Sequence, residues 1–146
     1  MSELTINFKR LSRRAVMPKF GREGDAGADL TAIEVVEIED DNDTIKYNFG
    51  IAVEIPKGYV GLIFPRSSIY KKKQILTNSV GVIDSNYRGE LSAVMTIGLN
   101  NDLRYQVGER IAQLVIVPIP SVTFVQVEEL SETNRGDGAY GSSGDK

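Results

Sequence analysis

Two side-chain types that dominate enzyme chemistry are missing from this chain, which has no histidine and no cysteine. A Ser-His-Asp triad, a Cys-His pair and a zinc site built on imidazole or thiolate are therefore excluded. A general base must come from Asp, Glu, Lys or Tyr. A metal must be held by oxygens, which suits Mg²⁺ or Ca²⁺. The segment NSVGVIDSNYRGEL, residues 78–91, offers the best base. Apolar Val80, Val82 and Ile83 lead into a polar tip of Asp84, Ser85 and Asn86, with Tyr87 and Arg88 behind it. Read as a β-hairpin, it presents main-chain N–H and C=O groups in a row that could read the edge of a flat base. Asp84 stands where it could take a proton from water, and Tyr87 could stack on a sugar. The plainer reading is good turn chemistry and nothing more.

Four other stretches depart from what strands and turns require. DAGADLTA, residues 25–32, places Asp29 after small residues and before a short apolar run. PRSSIYKKK, residues 65–73, clusters Arg66, Ser67 and Ser68 at an expected helix start, where free N–H groups and hydroxyls suit an anion. A capped surface helix is the alternative. GERIAQLVI, residues 108–116, inserts Arg110 and Gln113 into an apolar strand, and polar groups so placed need partners. NRGDGAYGSSGDK, residues 134–146, is rich in glycine and has little that could pack. It reads as a frayed tail, as an Arg-Gly-Asp adhesion signal at 135–137, or as a flap that closes on phosphate.

Period-two alternation supplies the elements that must position these groups. Ile45, Tyr47, Phe49, Ile51, Val53 and Ile55 form one apolar face opposite a wetter one, as one strand or two short strands meeting at Gly50. Leu91, Ala93, Met95, Ile97 and Leu99 form another, stopped by Asn100-Asn101-Asp102. Weaker strands are expected at 4–8, 35–38, 59–64, 110–117 and 122–127. The single expected helix is short, at 67–73, with Ser67 or Ser68 as its cap. Many short strands between Gly, Pro and Asn turns indicate an all-β sandwich, barrel or jelly roll. Length favours one domain.

A net charge of −3 argues against a nonspecific nucleic-acid binder. The N-terminus lacks the apolar core of a signal peptide, and no apolar run approaches membrane-spanning length. These features lead us to expect a soluble, cytoplasmic protein.

The five stretches, taken in order, carry a further implication. A small-residue turn with Asp, then PRS, GVIDSxYRGE, GERIAQL and RGxGxxGSSG, resembles the five-motif signature of the homotrimeric deoxyuridine triphosphatases. The resemblance implies a jelly-roll-like distorted barrel over residues 1–130 and a flexible glycine-rich arm over 131–146 that closes on an active site. It implies a homotrimer with shared sites that hydrolyses dUTP to dUMP and pyrophosphate, with Mg²⁺ held mainly by the substrate phosphates. Asp84 matches the general base. Asn78 and the backbone of Val82 and Ile83 match the uracil reader. Tyr87 matches the residue packed on deoxyribose, and Tyr140 an aromatic stacked on uracil. Arg66, Ser67, Ser68, Gln113, Arg135, Ser142 and Ser143 match phosphate contacts. Asp29 matches an acidic residue near metal-bound water. The chain departs from the pattern with Ser68 and Gln74 for Gly, Asn86 for Asp, Ala139 for Gly, Tyr140 for Phe and Ser143 for Thr. A catalytically idle trimeric regulator and a dCTP deaminase are the competing readings.

Overall fold

The computed structural model describes residues 3–38, 43–98 and 101–144. Eleven strands run in chain order: β1 Asn7–Arg10, β2 Lys19–Phe20, β3 Ala28–Thr31, β4 Glu34–Glu37, β5 Thr44–Asn48, β6 Ile51–Glu54, β7 Tyr59–Pro65, β8 Gln74–Leu76, β9 Gly81–Ile83, β10 Ser92–Ile97 and β11 Arg110–Pro118. They form three sheets, β1-β6, β4-β5-β10-β8 and β2-β3-β11-β7-β9, and every pairing is antiparallel. The all-β, jelly-roll-like architecture agrees with the alternation read from the sequence.

The long alternation is two strands. All six of its odd residues are buried, but Asn48 and Ala52 on the other face are buried too. The reason is that the chain changes sheets there. β5 lies in the four-stranded sheet and β6 pairs with β1. Gly50 makes the step at φ 67°, a left-handed conformation that glycine adopts without a Cβ penalty. A Cβ at this position would also collide with the Ile33 side chain. Leu91, Ala93, Met95 and Ile97 are buried as well, with Ala93 and Met95 directly beside Tyr47 and Ile45 in the same sheet, and each large buried side chain contributes roughly 1.5–3 kcal/mol.

Several expectations need correction. The short helix is a 3₁₀ turn, Ser67–Lys72, followed by Lys73 in the left-handed region. Its N-cap is Arg66, with no side-chain capping bond, so neither serine caps it. The segment at 122–127 forms no strand; residues 119–130 are wholly exposed. No other described part of the chain lies alongside it for its N–H and C=O groups to pair with. Residues 78–91 do not form a two-stranded hairpin. β9 pairs with β7, whereas β10 pairs with β5 and β8, so the two arms enter different sheets. The expected strand end at Leu99 and Asn100 lies outside the described residues. The other expected strands are present with boundaries shifted by a few residues at most, and β2, β3 and β8 are additional. Among the described residues, no helix is long and apolar enough to cross a membrane.

Candidate active site

The densest polar cluster is built by three neighbouring strands. β11 lies between β3 and β7, and its register sets Gln113 opposite Asp29 on one side and Phe64 on the other. Pro65 ends β7 and delivers Arg66 beside them. The Asp29 carboxylate receives both arginines: Oδ1 lies 2.9 Å from Arg66 Nε, and Oδ2 lies 3.0 Å from Arg110 Nη1. With its side chain only 13% exposed, this carboxylate holds both guanidiniums in a fixed place. Arg66 also donates to the Arg110 carbonyl at 3.3 Å. Gln113 donates to the Pro65 carbonyl at 3.0 Å. Gly27 is needed for this, because a Cβ there would strike the Gln113 amide. The resulting polar cleft has a volume of about 570 Å³ and is lined by Asp29, Arg66, Ser67, Arg110 and Gln113 among others. Two cations and a hydroxyl facing one hollow can take a polyanion. Ser68 lies elsewhere, in a neighbouring cavity with Tyr105 and Lys72.

Asp84 follows β9 directly. Its carbonyl accepts from the Tyr87 N–H at 3.0 Å, which closes a tight turn. Around that turn everything is tied down. Tyr87 Oη donates to the Glu90 carbonyl at 3.0 Å, and a Cβ at Gly89 would collide with the phenol. Glu90 Oε1 accepts from the Gly50 N–H at 2.9 Å. Arg88 donates to the Ser85 carbonyl at 2.7 Å and pairs with Glu54 at 3.3 Å. The Asn7 amide, assisted by Arg88, holds the Glu54 carboxyl below the usual carboxylate range. Against this background the Asp84 carboxylate stands apart. Asp25 accepts from the Arg22 N–H, Asp29 holds two arginines, Glu90 holds Gly50, and Glu109 pairs with Lys72 at 2.6 Å. Among the described carboxylates of the first four motif stretches, Asp84 alone has no side-chain partner. An exposed, uncommitted carboxylate on a fixed turn is available to bind and deprotonate water.

Asn78 lines a third cavity, of about 380 Å³, with Ile63, Thr77 and Gly81. Gly81 approaches the Ile63 side chain so closely that a Cβ would come within 3.2 Å of it. β9 is the edge of its sheet, so one row of main-chain groups in Val82 and Ile83 faces away from the ladder. Asp84, Asn78 and Arg66 line three different cavities. The tail joins none of them. Arg135 Nε donates to the Gly138 carbonyl at 2.9 Å, within the arm's own turn, and Tyr140 is fully exposed, as are Ser142 and Ser143.

Sequence reasoning singled out Arg110 as a charge inside an apolar strand but gave it no place in the site, and it passed over Gly27. Gly27 gives no signal without knowing what packs on it.

The sequence model of the dUTPase family matches residues 13–144, nearly the whole chain. The chain belongs to the dUTPase family. Among relatives of this dUTPase is the deoxyuridine 5'-triphosphate nucleotidohydrolase of Hydrogenobaculum, 39% identical and covering 94% of this chain and 96% of the relative. The Rhodococcus erythropolis nucleotidohydrolase is 42% identical, covering 97% and 87%. The solved structure of the Staphylococcus bacteriophage 80alpha dUTPase with dUpNHpp superposes with a TM-score of 0.82 at 33% identity, covering 96% of this chain and 98% of that one. A variant dUTPase of the S. aureus phage phi11, whose structure describes coordination of a structural Mg(II) ion, superposes at 0.73 with 29% identity, covering 86% and 98%.

Proposed function

We propose that this dUTPase converts dUTP to dUMP and pyrophosphate with Asp84 as the general base. The observation that carries this is the uncommitted Asp84 carboxylate, where the other described carboxylates of the first four motif stretches are all engaged. Asp84 orients a water and accepts its proton as the water oxygen bonds to the α-phosphorus. The bond from that phosphorus to the bridging oxygen breaks, and pyrophosphate leaves. A positioned base contributes about 10²–10⁴-fold. Arg66, Ser67, Arg110 and Gln113 line the cleft that takes the phosphates, where fixed cations stabilise charge that develops on the oxygens.

The residues fit a magnesium ion carried by the substrate. Among the described residues no three carboxylates are grouped to cage a metal, and Asp29 is already shared by two arginines. Mg²⁺ is bound in such sites by phosphates and waters with few protein ligands. Asp29 and Asp25, both lining the cleft, would reach it through water. When bound, the ion supplies charge neutralisation on the phosphates.

Asn78 and the open edge of β9 read the uracil ring. A thymine methyl would clash there, and cytosine would leave buried groups mispaired. Tyr87, anchored on Glu90, packs on the sugar and leaves no room for a 2′-hydroxyl.

The assembly is a homotrimer with shared sites. Two features support it. The base, the pyrimidine reader and the phosphate cleft line separate cavities of one chain. Val122, Phe124, Val125 and Leu130 are exposed on an arm without hydrogen bonds of its own over residues 120–130, which suits burial on another copy. The glycine-rich end from 131 onward then closes on a site, with Tyr140 over the base and Arg135, Ser142 and Ser143 on phosphate.

A nucleotide panel with Mg²⁺ tests this reading. Pyrophosphate release from dUTP, and little from dTTP, dCTP or UTP, is expected. Ammonia release from dCTP, or tight dUTP binding without turnover, would replace it with a deaminase or an idle regulator. Native mass spectrometry should give three times 16.1 kDa.

A further inference from the structure

Gln74 stands where the family pattern has glycine, and it is only 5% exposed. A buried amide needs partners for both ends. Gln74 Oε1 accepts from the Tyr105 N–H at 3.0 Å, and Nε2 donates to Tyr47 Oη at 3.4 Å. Tyr47 Oη in turn donates to the Tyr105 carbonyl at 3.0 Å. Both main-chain groups of Tyr105 are thus held by one three-residue clamp. The Tyr47 and Tyr105 rings also meet edge to face, with centroids 6.4 Å apart.

The clamp joins two segments that reach the phosphate cleft. Gln74 follows the 3₁₀ turn Ser67–Lys72 by one residue, across the left-handed Lys73. Tyr105 precedes the loop that leads to Arg110. The two segments are tied twice more: Lys72 pairs with Glu109, and Lys72 Nζ sits 5.1 Å from the centroid of the Tyr105 ring. Tyr105 shares a cavity with Arg66 and Ser68. A glycine at 74 could make none of the side-chain bonds.

We infer that Gln74 is a positioning residue, which sets the Arg66–Ser67 phosphate cradle by clamping Tyr105 to the end of the 3₁₀ turn. The inference rests on the reading that this cradle binds the substrate's phosphates. Moving Arg66 and Ser67 away from a bound phosphate weakens the charge-assisted hydrogen bonds they make to it. The clamp touches neither Asp84 nor Asn78, so its loss should fall on phosphate binding and spare the pyrimidine side.

The test compares wild type, Gln74→Met, Gln74→Glu, Tyr47→Phe and Arg66→Ala. Binding of inorganic pyrophosphate with Mg²⁺ is measured by calorimetry, and binding of deoxyuridine, which has no phosphate, by competitive inhibition. Gln74→Met should weaken pyrophosphate about tenfold and raise the KM for dUTP similarly, with kcat and deoxyuridine inhibition little changed. Gln74→Glu keeps an acceptor for the Tyr105 N–H and should recover part of the loss. Wild-type pyrophosphate affinity in Gln74→Met, or equal weakening of both ligands, overturns the inference. Should Gln74→Met fail to fold, Tyr47→Phe must show the same phosphate-only loss in smaller measure, and unchanged affinities there overturn it. Arg66→Ala separates the two layers. If it binds pyrophosphate like wild type, the cradle itself is misplaced and both readings fall. If it is weakened while Gln74→Met is not, only the role of Gln74 falls.

Discussion

The cleft between β3, β7 and β11 and the C-terminal arm contain similar residues. Each contains glycine, and each contains arginine and serine that we assign to phosphate. They differ in what holds them. The Arg66 guanidinium is fixed by Asp29, 37 positions back along the chain, and the same carboxylate takes Arg110 from a third segment. The Arg135 guanidinium is fixed by a carbonyl three residues away. Long-range partners make the cleft a property of the whole fold, present before substrate arrives. Among the described residues the arm's partners are local, so the closure proposed for it would have to order a chain, at a cost in conformational entropy that bound phosphate would offset. Stability should therefore follow the cleft, whereas turnover should depend on both.

The largest effect is expected at Asp84, the one described carboxylate of the first four motif stretches with neither kind of anchor. Asp84→Asn should lower kcat by about 10²–10⁴-fold with the melting temperature unchanged. Normal turnover would remove Asp84 from the base role. Cutting the chain after Ser131 should leave a folded trimer with the same melting temperature and roughly a hundredfold less activity, as expected when a closing segment is lost. A truncated protein that hydrolyses dUTP normally would erase the functional half of the comparison. In Gly27→Ala the new methyl strikes the Gln113 amide, so both quantities should move. About 1–3 kcal/mol of stability should be lost to overpacking, and the KM for dUTP should rise. If that variant melts like wild type, the cleft is less rigidly built than its contacts imply.

The smallest effect is at the Lys72–Glu109 pair. Burial opposes ionisation of Glu109, but the Lys72 ammonium and the Gln106 N–H outweigh it and hold the carboxyl below its usual value of 4.5. A lowered folded-state pKa contributes stability that is present above 4.5 and lost as pH falls through the folded value. Glu109→Gln should lower the neutral plateau of a melting-temperature curve slightly and leave its acid end unchanged, so that the acid limb below about pH 5 flattens, a small effect because solvent-screened pairs are worth little.

The sequence made the alternating faces plain, because a buried strand must place apolar residues at every second position. It made Asp84 legible for another reason, its place at the polar tip of 78–91 and the family resemblance that this stretch carries, since the absence of histidine alone leaves twenty acidic residues to choose from. Sheet membership was hidden. Nothing local says that β9 leaves β10 for β7, because both choices satisfy the same alternation. The strand expected at 122–127 failed for a related reason: its pattern of Val, Phe and Val is that of a buried strand, but one copy of the chain offers it no neighbour. The partners of Asp29 and Gln74 were equally hidden, because hydrogen bonds between residues 27 or more positions apart leave no trace in spacing.

The step at Gly50 has a consequence for the order in which the molecule assembles. The Gly50 N–H is held by Glu90, and the Phe49 N–H and the Leu91 carbonyl, then the Leu91 N–H and the Ile51 carbonyl, lace the same two stretches together. These are contacts across some forty residues of chain, and closing such a loop is slow and late compared with local turns. The turn bearing Asp84 leans on that lacing through Tyr87 and Glu90. Recovery of activity after dilution from denaturant should therefore lag behind recovery of β-structure, and a half-folded chain should hold the nucleotide's neighbourhood without its base in place.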